Sequence, residues 1–269
     1  MKKTITILSL VVLAFLACQR TPKNAPAAFS VENYVMEDSV QFPEEALDPW
    51  MSDDMAYYLG VVDIPVTENE ELRDNIINWI SSNLNENYQG DSQDVKAMIE
   101  FDKNDFLSLD NGTPQSRQQV FITMDENNDR YVTYSQESYL YSGGAHGITL
   151  LSGASFNKIS GQRFTFGMFV EPQSLTDLIQ ESLKTQYFDE LMDGADVTFD
   201  EVIFSESVEE FPLPVTEPWI RSDSVIFVYQ SYEIAPYALG IPQCGIPYQE
   251  IKGFLTEEGV SFFEIVKKK

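Results

Sequence analysis

RQQVFITMDENNDRYVTYSQESYLYSGGAHGITLLSGASFN, residues 117–157, decides the fold. RQQVFITM and RYVTYSQESYLY are rich in β-branched and aromatic residues and flank DENND, which reads as two strands and a turn. HGITLLSGASFN supplies a third strand, ending in a turn around Gly161. Short connections of this kind favour an antiparallel meander. Asp125, Asn127 and Asp129 open like a calcium loop, but Arg130 stands where the sharp turn needs glycine and Gln136 where a bidentate Glu belongs, so the hairpin turn is the preferred reading.

Upstream, MAYYLGVVDIPV (55–66) reads as a strand. Thr67 and Glu70 then form a capping-box pattern, and Leu72, Ile76, Trp79, Ile80 and Leu84 repeat at helical spacing, predicting a helix over about 68–86. A weaker stripe through Val95, Met98, Ile99 and Phe106 is interrupted by Asp102. Downstream, Pro172 and Ser174 start a second main helix, with Ser174 and Asp177 as cap partners and Leu175, Leu178, Ile179, Leu183 and Tyr187 on one face. SVIFVYQ (224–230) predicts a central strand, with IPQCGIPY and VSFFEIV as further candidates. The order of elements gives an α+β fold, an antiparallel sheet with two main packed helices, and not a doubly wound parallel sheet.

The chain begins MKKTITILSLVVLAFLA, two lysines and an apolar run too short to span a bilayer, then Cys18. This predicts an export signal over 1–17 with lipid attached to Cys18; a plain cleaved signal is the alternative. Phe15 and Leu16 depart from the usual lipobox. QRTPKNAPAAFS reads as a flexible tether, and the absence of acids before Glu32 favours a periplasm-facing anchor over the cell surface. With Cys18 lipidated, Cys244 has no intramolecular partner, so the exported fold stands on its core. The division expected is 1–17 signal, 18–50 tether and first strand region, 51–135 strand–helix subdomain and 136–269 C-terminal subdomain.

Charge excludes one class of partner. The sequence holds 43 acidic and 17 basic side chains, a net −26, and loss of Lys2 and Lys3 with the signal makes it −28. Nucleic acid needs a basic surface, and anionic membranes are disfavoured for the same reason. A cationic partner would be steered in.

Few constellations carry chemistry. His146 is the only histidine, so a His-rich zinc site cannot form and no metal or other cofactor is expected. No G-x-S-x-G turn surrounds any serine, which argues against His146 as a hydrolytic base. In YSGGAHG, Tyr141, Gly143, Gly144, His146 and Gly147 read as a structural motif in which glycine lets backbone pass a bulge or a tyrosine ring, with His146 on a strand near the sheet surface. In SYEIAPYALGIPQCGIPY (231–248), three prolines preclude continuous sheet. The segment predicts a rigid loop displaying Tyr232, Glu233, Pro236 and Tyr237 as ligand contacts, or the same rings packed back as a lid.

YSGGAHG, SFNKISGQRFTFGMFV, YEIAPYALG and IPY, in that order, resemble the C-terminal half of the extracellular domain shared by RsiV-type anti-sigma factors, PdaC-type peptidoglycan deacetylases and envelope lipoproteins. The strand and helix at 55–86 are similar to its N-terminal half. The resemblance implies an α+β domain without a catalytic centre: in the deacetylases the chemistry lies in a separate metal-dependent domain, for which this chain has neither length nor histidines. In the anti-sigma factors the domain binds lysozyme, a basic protein. This sequence departs from them in lacking a transmembrane helix and a sigma-binding segment. The implied function is a lipid-anchored envelope binding domain for a lysozyme-like cationic protein or cell-wall glycan. Its rivals are a carboxylate-dependent envelope hydrolase and a scaffold lipoprotein with no small ligand.

Overall fold

The computed structural model describes residues 26–43, 54–108, 113–191 and 197–264. The expected signal and Cys18 lie outside the described residues. A five-stranded sheet has the order β1 (Ser30–Gln41), β2 (Met55–Val66), β3 (Arg117–Asn127), β4 (Tyr131–Tyr141), β5 (Ile148–Asn157), and a three-stranded antiparallel sheet comprises β6 (Trp219–Arg221), β7 (Ser224–Val228) and β8 (Gln243–Pro247). The α+β class stands, with β7 central in its sheet.

Two features correct the single antiparallel sheet expected. There are two sheets, and β2 pairs with β3 in parallel, Tyr57 opposite Arg117. A parallel pair needs a long crossover, and α1 (Glu70–Ser82) and α2 (Val95–Phe106) supply it. The remaining pairs are antiparallel. The division at 135/136 falls within β4.

Helix α1 is shorter than 68–86, and its cap is Asn69, whose side chain accepts from Leu72 N; Thr67 Oγ1 instead accepts from Asn69 N. The helix buries Leu72, Ile76, Ile77, Trp79 and Ile80 against one face of the first sheet. Helix α2 adds Val95 and Ile99, and Asp102, which breaks its apolar stripe, is itself buried. The second main helix starts as a 3-10 turn at Pro172–Leu175 and runs as α3 (Thr176–Leu183) into a π turn at Lys184–Phe188. The Ser174/Asp177 cap does not form: the Ser174 hydroxyl donates to the Glu171 carbonyl, and the α3 N-cap, Leu175, has no side-chain acceptor. VSFFEIV begins not as a strand but at the end of a helical turn, Glu257–Val260, capped by Thr256. Phe262 and Phe263 then enter the second core against Phe164.

The two sheets meet over β4 and β5. The Ser155 hydroxyl accepts from Ile220 N (2.8 Å), Thr133 Oγ1 donates to the Ile220 carbonyl (2.9 Å), and the buried Trp219 ring lies on Gly153. At the rim, Arg221 pairs with Asp125 (2.6 Å) and Arg130 with Asp223 (3.1 Å). The DENND segment is thus a hairpin turn whose Asp125 holds the second sheet, with Asn128 Oδ1 accepting from Arg130 N and Tyr131 N. Among the described residues no helix is long and apolar enough to cross a membrane.

Candidate functional site

The β4–β5 connection builds half of the site. Gly143 (φ 100°) and Gly144 (φ 92°) take left-handed backbone that a side chain would strain, with open space where a Cβ would stand. The Tyr141 hydroxyl donates to the Gly144 carbonyl (3.1 Å). Gly147 serves differently, since a Cβ there would lie 2.4 Å from Tyr139 Cζ. His146 is exposed in this connection and does not lie on a strand, which corrects the sequence expectation.

The other half is the segment after β7. The Gln230 side chain acts like a partner strand for β5: its Oε1 accepts from Leu151 N (3.1 Å) and its Nε2 donates to the Leu151 carbonyl (2.6 Å). Tyr232 follows with φ 69° and a ring 52% exposed. A tyrosine in left-handed backbone carries a cost of order 1–3 kcal/mol. Glu233, expected beside the tyrosines as a ligand contact, turns inward, its two oxygens accepting from Val215 N and Gln230 N (both 2.7 Å). Burial raises its carboxyl above the usual range, the two backbone donors partly offsetting this. Pro236 is exposed and precedes the 3-10 turn Tyr237–Leu239.

These two segments meet. The His146 and Tyr237 rings stack with centroids 3.8 Å apart and planes at 17°, and Tyr232 lies 5.6 Å from Tyr237. The Tyr237 hydroxyl donates to the Gly147 carbonyl (3.0 Å), and His146 Nδ1 lies 2.9 Å from the same oxygen. A carbonyl only accepts, so Nδ1 carries the proton and Nε2 faces the Tyr232 hydroxyl at 3.4 Å. The tyrosines therefore neither fold away as a lid nor stand alone. With the chain's single histidine they form a three-ring surface in which Tyr232 and His146 are exposed and Tyr237 is half-buried.

Beside it lies a cavity of about 510 Å³, walled by Tyr237, Tyr187 and Ile241 and floored by Glu137, Thr149 and Leu151. Sequence reasoning missed Glu137 and Thr149. Period-two alternation along YVTYSQESYLY sets Glu137 and Tyr139 on one face, but nothing local says that this face meets the second sheet. A second cavity, about 560 Å³, opens on the first sheet, where Arg117 lies over the Tyr57 ring beside Glu37 and Asp38. Asp38 is solvated and held low by the Ser39 N–H and Lys103.

The buried carboxylates are committed elsewhere. Asp102 accepts from the Tyr58 hydroxyl (2.8 Å) and Gln118 Nε2 (2.9 Å), and Asp63 from Asn33 Nδ2 and Met124 N. Burial lifts the Asp102 carboxyl above its ordinary range, opposed in part by its two donors.

A helix-covered mixed sheet carrying a second, three-stranded sheet on its other face defines the structural class. It is shared by a crystal structure of a DUF3298 family member from Bacteroides fragilis, 18% identical over 91% of this chain and all of that one, with a TM-score of 0.60. A DUF3298 family protein from Pseudomonas aeruginosa is 17% identical over 86% of this chain and 96% of its own, with a TM-score of 0.53. At these identities the likeness concerns the fold. More particularly, residues 52–149 match the family model described as deacetylase PdaC and residues 169–249 that described as DUF3298, a protein family of unknown function. The two matched stretches follow one another along the chain without overlap. None of the curated proteins matches it.

Proposed function

We propose that this protein is a holding module of the cell envelope, exported, anchored through lipid on Cys18 on the periplasmic side, and without a catalytic step of its own. The observation that carries this reading is the Tyr232–Tyr237–His146 surface, exposed at Tyr232 and His146, built on strained backbone and braced by Glu233 from within. Exposed aromatics with polar tips are anchors for macromolecular contact, and backbone strain of this kind collects at sites of function. The chain's net charge of −26 suits a cationic partner, for which a lysozyme-like protein is the first candidate. Cell-wall glycan is the second, favoured by the cavity beside the stack.

The rival, a carboxylate-dependent hydrolase, needs two carboxyls converging on a cleft with at least one desolvated. Asp102 is desolvated but engaged at Oδ2 by Tyr58 and Gln118, while Glu37 and Asp38 are exposed. The PdaC name denotes a deacetylase; in this reading the chain keeps the binding role alone. Full-length protein in detergent, titrated with hen-type lysozyme at physiological salt, should form a complex at micromolar concentrations that weakens with added salt and on Tyr232→Ala. No complex under those conditions removes this partner. Incorporation of labelled fatty acid that is abolished by Cys18→Ala tests the anchor.

A further inference from the structure

Three of the four sheet edges in this fold are closed from within the chain. The outer edge of β5 is met by the Gln230 amide at Leu151 and by Phe164 N, which donates to the Ser155 carbonyl (2.7 Å). On β8, Gln186 donates through Nε2 to the Gly245 carbonyl (3.0 Å) and accepts from Gly245 N through Oε1 (2.9 Å). On β6, Ser155 and Thr133 take up Ile220 N and the Ile220 carbonyl. Closing an edge in this way removes the template on which another chain could pair.

The edge of β1 is the exception. Phe42 N donates to the Asp54 carbonyl, which fixes the phase of the β1–β2 ladder: even-numbered residues of β1 bond to β2, and odd-numbered ones turn N–H and C=O outward. Toward the end of the strand the outward Ser39 N–H is taken by Asp38 Oδ1 (2.8 Å), and just before its start the Phe29 carbonyl accepts from Asn127 Nδ2 (3.2 Å). Between these points the outward backbone groups of Val31, Asn33, Val35 and Glu37 have no partner among the described residues. The stretch is not guarded by uncompensated charge on the side facing α2. Glu32 pairs with Lys96 (2.6 Å) and Asp38 with Lys103 (3.2 Å), and Lys96 also lies 5.4 Å from the centre of the Tyr34 ring. On the other face Val35 is 54% exposed.

We infer that this edge receives the same edge of a second copy of the chain, antiparallel about a two-fold axis, so that one sheet continues across both. The open rungs are centred on Tyr34, and a dyad there uses all of them: Val31 falls opposite Glu37 of the second copy and Asn33 opposite its Val35, each pair exchanging two backbone hydrogen bonds. Glu32 then faces Met36 and Asp38 faces Ser30, so no two acids stand opposite one another. A dyad at Val35 would set Glu32 against Asp38 and call on the occupied Ser39 N–H, and one at Asn33 would call on the occupied Phe29 carbonyl. The inference goes beyond the holding role and does not rest on it. Two chains of net −26 repel one another at long range, and salt screens that repulsion beyond about 8 Å at physiological strength. Self-pairing should therefore tighten with added salt, the opposite of a complex with a cationic partner.

Full-length protein in density-matched detergent, with no partner added, should sediment as a monomer–dimer equilibrium whose dissociation constant falls several-fold between about 0.05 and about 0.5 M salt. Val35→Pro deletes an N–H that the fold itself leaves unused, so it should weaken the dimer about tenfold or more at an unchanged melting temperature. In a Cys18→Ser background, Tyr34→Cys sets two thiols across the axis at a Cα separation of about 4.5 Å, within the span of a disulfide, and mild oxidation should yield a cross-linked pair. Glu37→Cys, about 20 Å from its own copy at about 3.4 Å per residue, should not cross-link. Cys244 is buried and does not compete. The cross-link decides on its own if the proline variant melts early. A chain that stays single at about 100 μM in all salts overturns the inference, as does Glu37→Cys cross-linking as readily as Tyr34→Cys. So does a lysozyme complex that is lost on Val35→Pro with self-association unchanged, which would give the edge to that partner instead.

Discussion

Asp102 separates a structural acid from a catalytic one. Asp102 lies on the buried face of α2, 5% exposed, with the Tyr58 hydroxyl and Gln118 Nε2 both donating to its Oδ2. Asp102→Ala strands a fully buried phenol and a half-buried amide. At about 1–3 kcal/mol for a buried unsatisfied donor, less for the part-exposed one, the cost is about 2–4 kcal/mol, and at about 2–4 °C per kcal/mol in a chain of this size Tm falls by about 5–15 °C. Asp102→Asn keeps an acceptor oxygen for both donors and removes the buried charge. Because burial raises the folded carboxyl above its unfolded value, the folded state binds the proton more tightly than the unfolded chain does. Stability from this group is therefore fully present below the unfolded value and is lost as pH rises through the raised folded value. The Asn variant should match the wild type at low pH and draw level or ahead near neutrality, in thermal melts followed by circular dichroism from pH 4 to 8. An Asn variant as unstable as the Ala variant, or a wild type that gains on Asn as pH rises, refutes the reasoning. Turnover of a cell-wall substrate that disappears in the Asn variant, at unchanged Tm, would transfer the protein to the hydrolase class.

Three further outcomes follow from single positions. Gly153→Ala places a Cβ 2.4 Å from Trp219 Cδ2, a ring only 1% exposed, and overpacking should lower stability by about 1–3 kcal/mol in denaturant titrations. Burial pushes the Cys244 thiol up to about 12, so peptide mapping after iodoacetamide treatment at pH 8 should find it unmodified in the native protein and modified in denaturant. Tyr232→Asn should raise Tm by a few degrees, since asparagine accepts φ 69° more readily, while weakening the complex with a cationic partner several-fold.

Sequence and structure agree where the deciding forces are local. The strand at 55–66, the hairpin about DENND and the apolar stripes of α1 and α2 each follow from periodicity within a dozen residues. They part where the decision is long-range. VSFFEIV has the composition of a strand, yet Thr256 caps a helical turn and the Phe262 and Phe263 rings find Phe164 and Tyr248, contacts that only the assembled core offers. The parallel pairing of β2 with β3 depends likewise on two helices crossing one sheet face. The candidate site shows both conditions at once. Each half, YSGGAHG and SYEIAPYALG, is conspicuous by its glycines, prolines and tyrosines, but the stacking of His146 on Tyr237, 91 residues apart, is written in neither. The left-handed backbone at Tyr232 has no residue-level signal at all, because glycine or asparagine would announce such a turn and tyrosine does not. A chain that needed only the turn would be more stable with one of those residues. Keeping a tyrosine there costs stability in the free protein, and under the proposed holding role that cost is offset when a partner covers the exposed ring, so the position supports that proposal more strongly than its exposure alone.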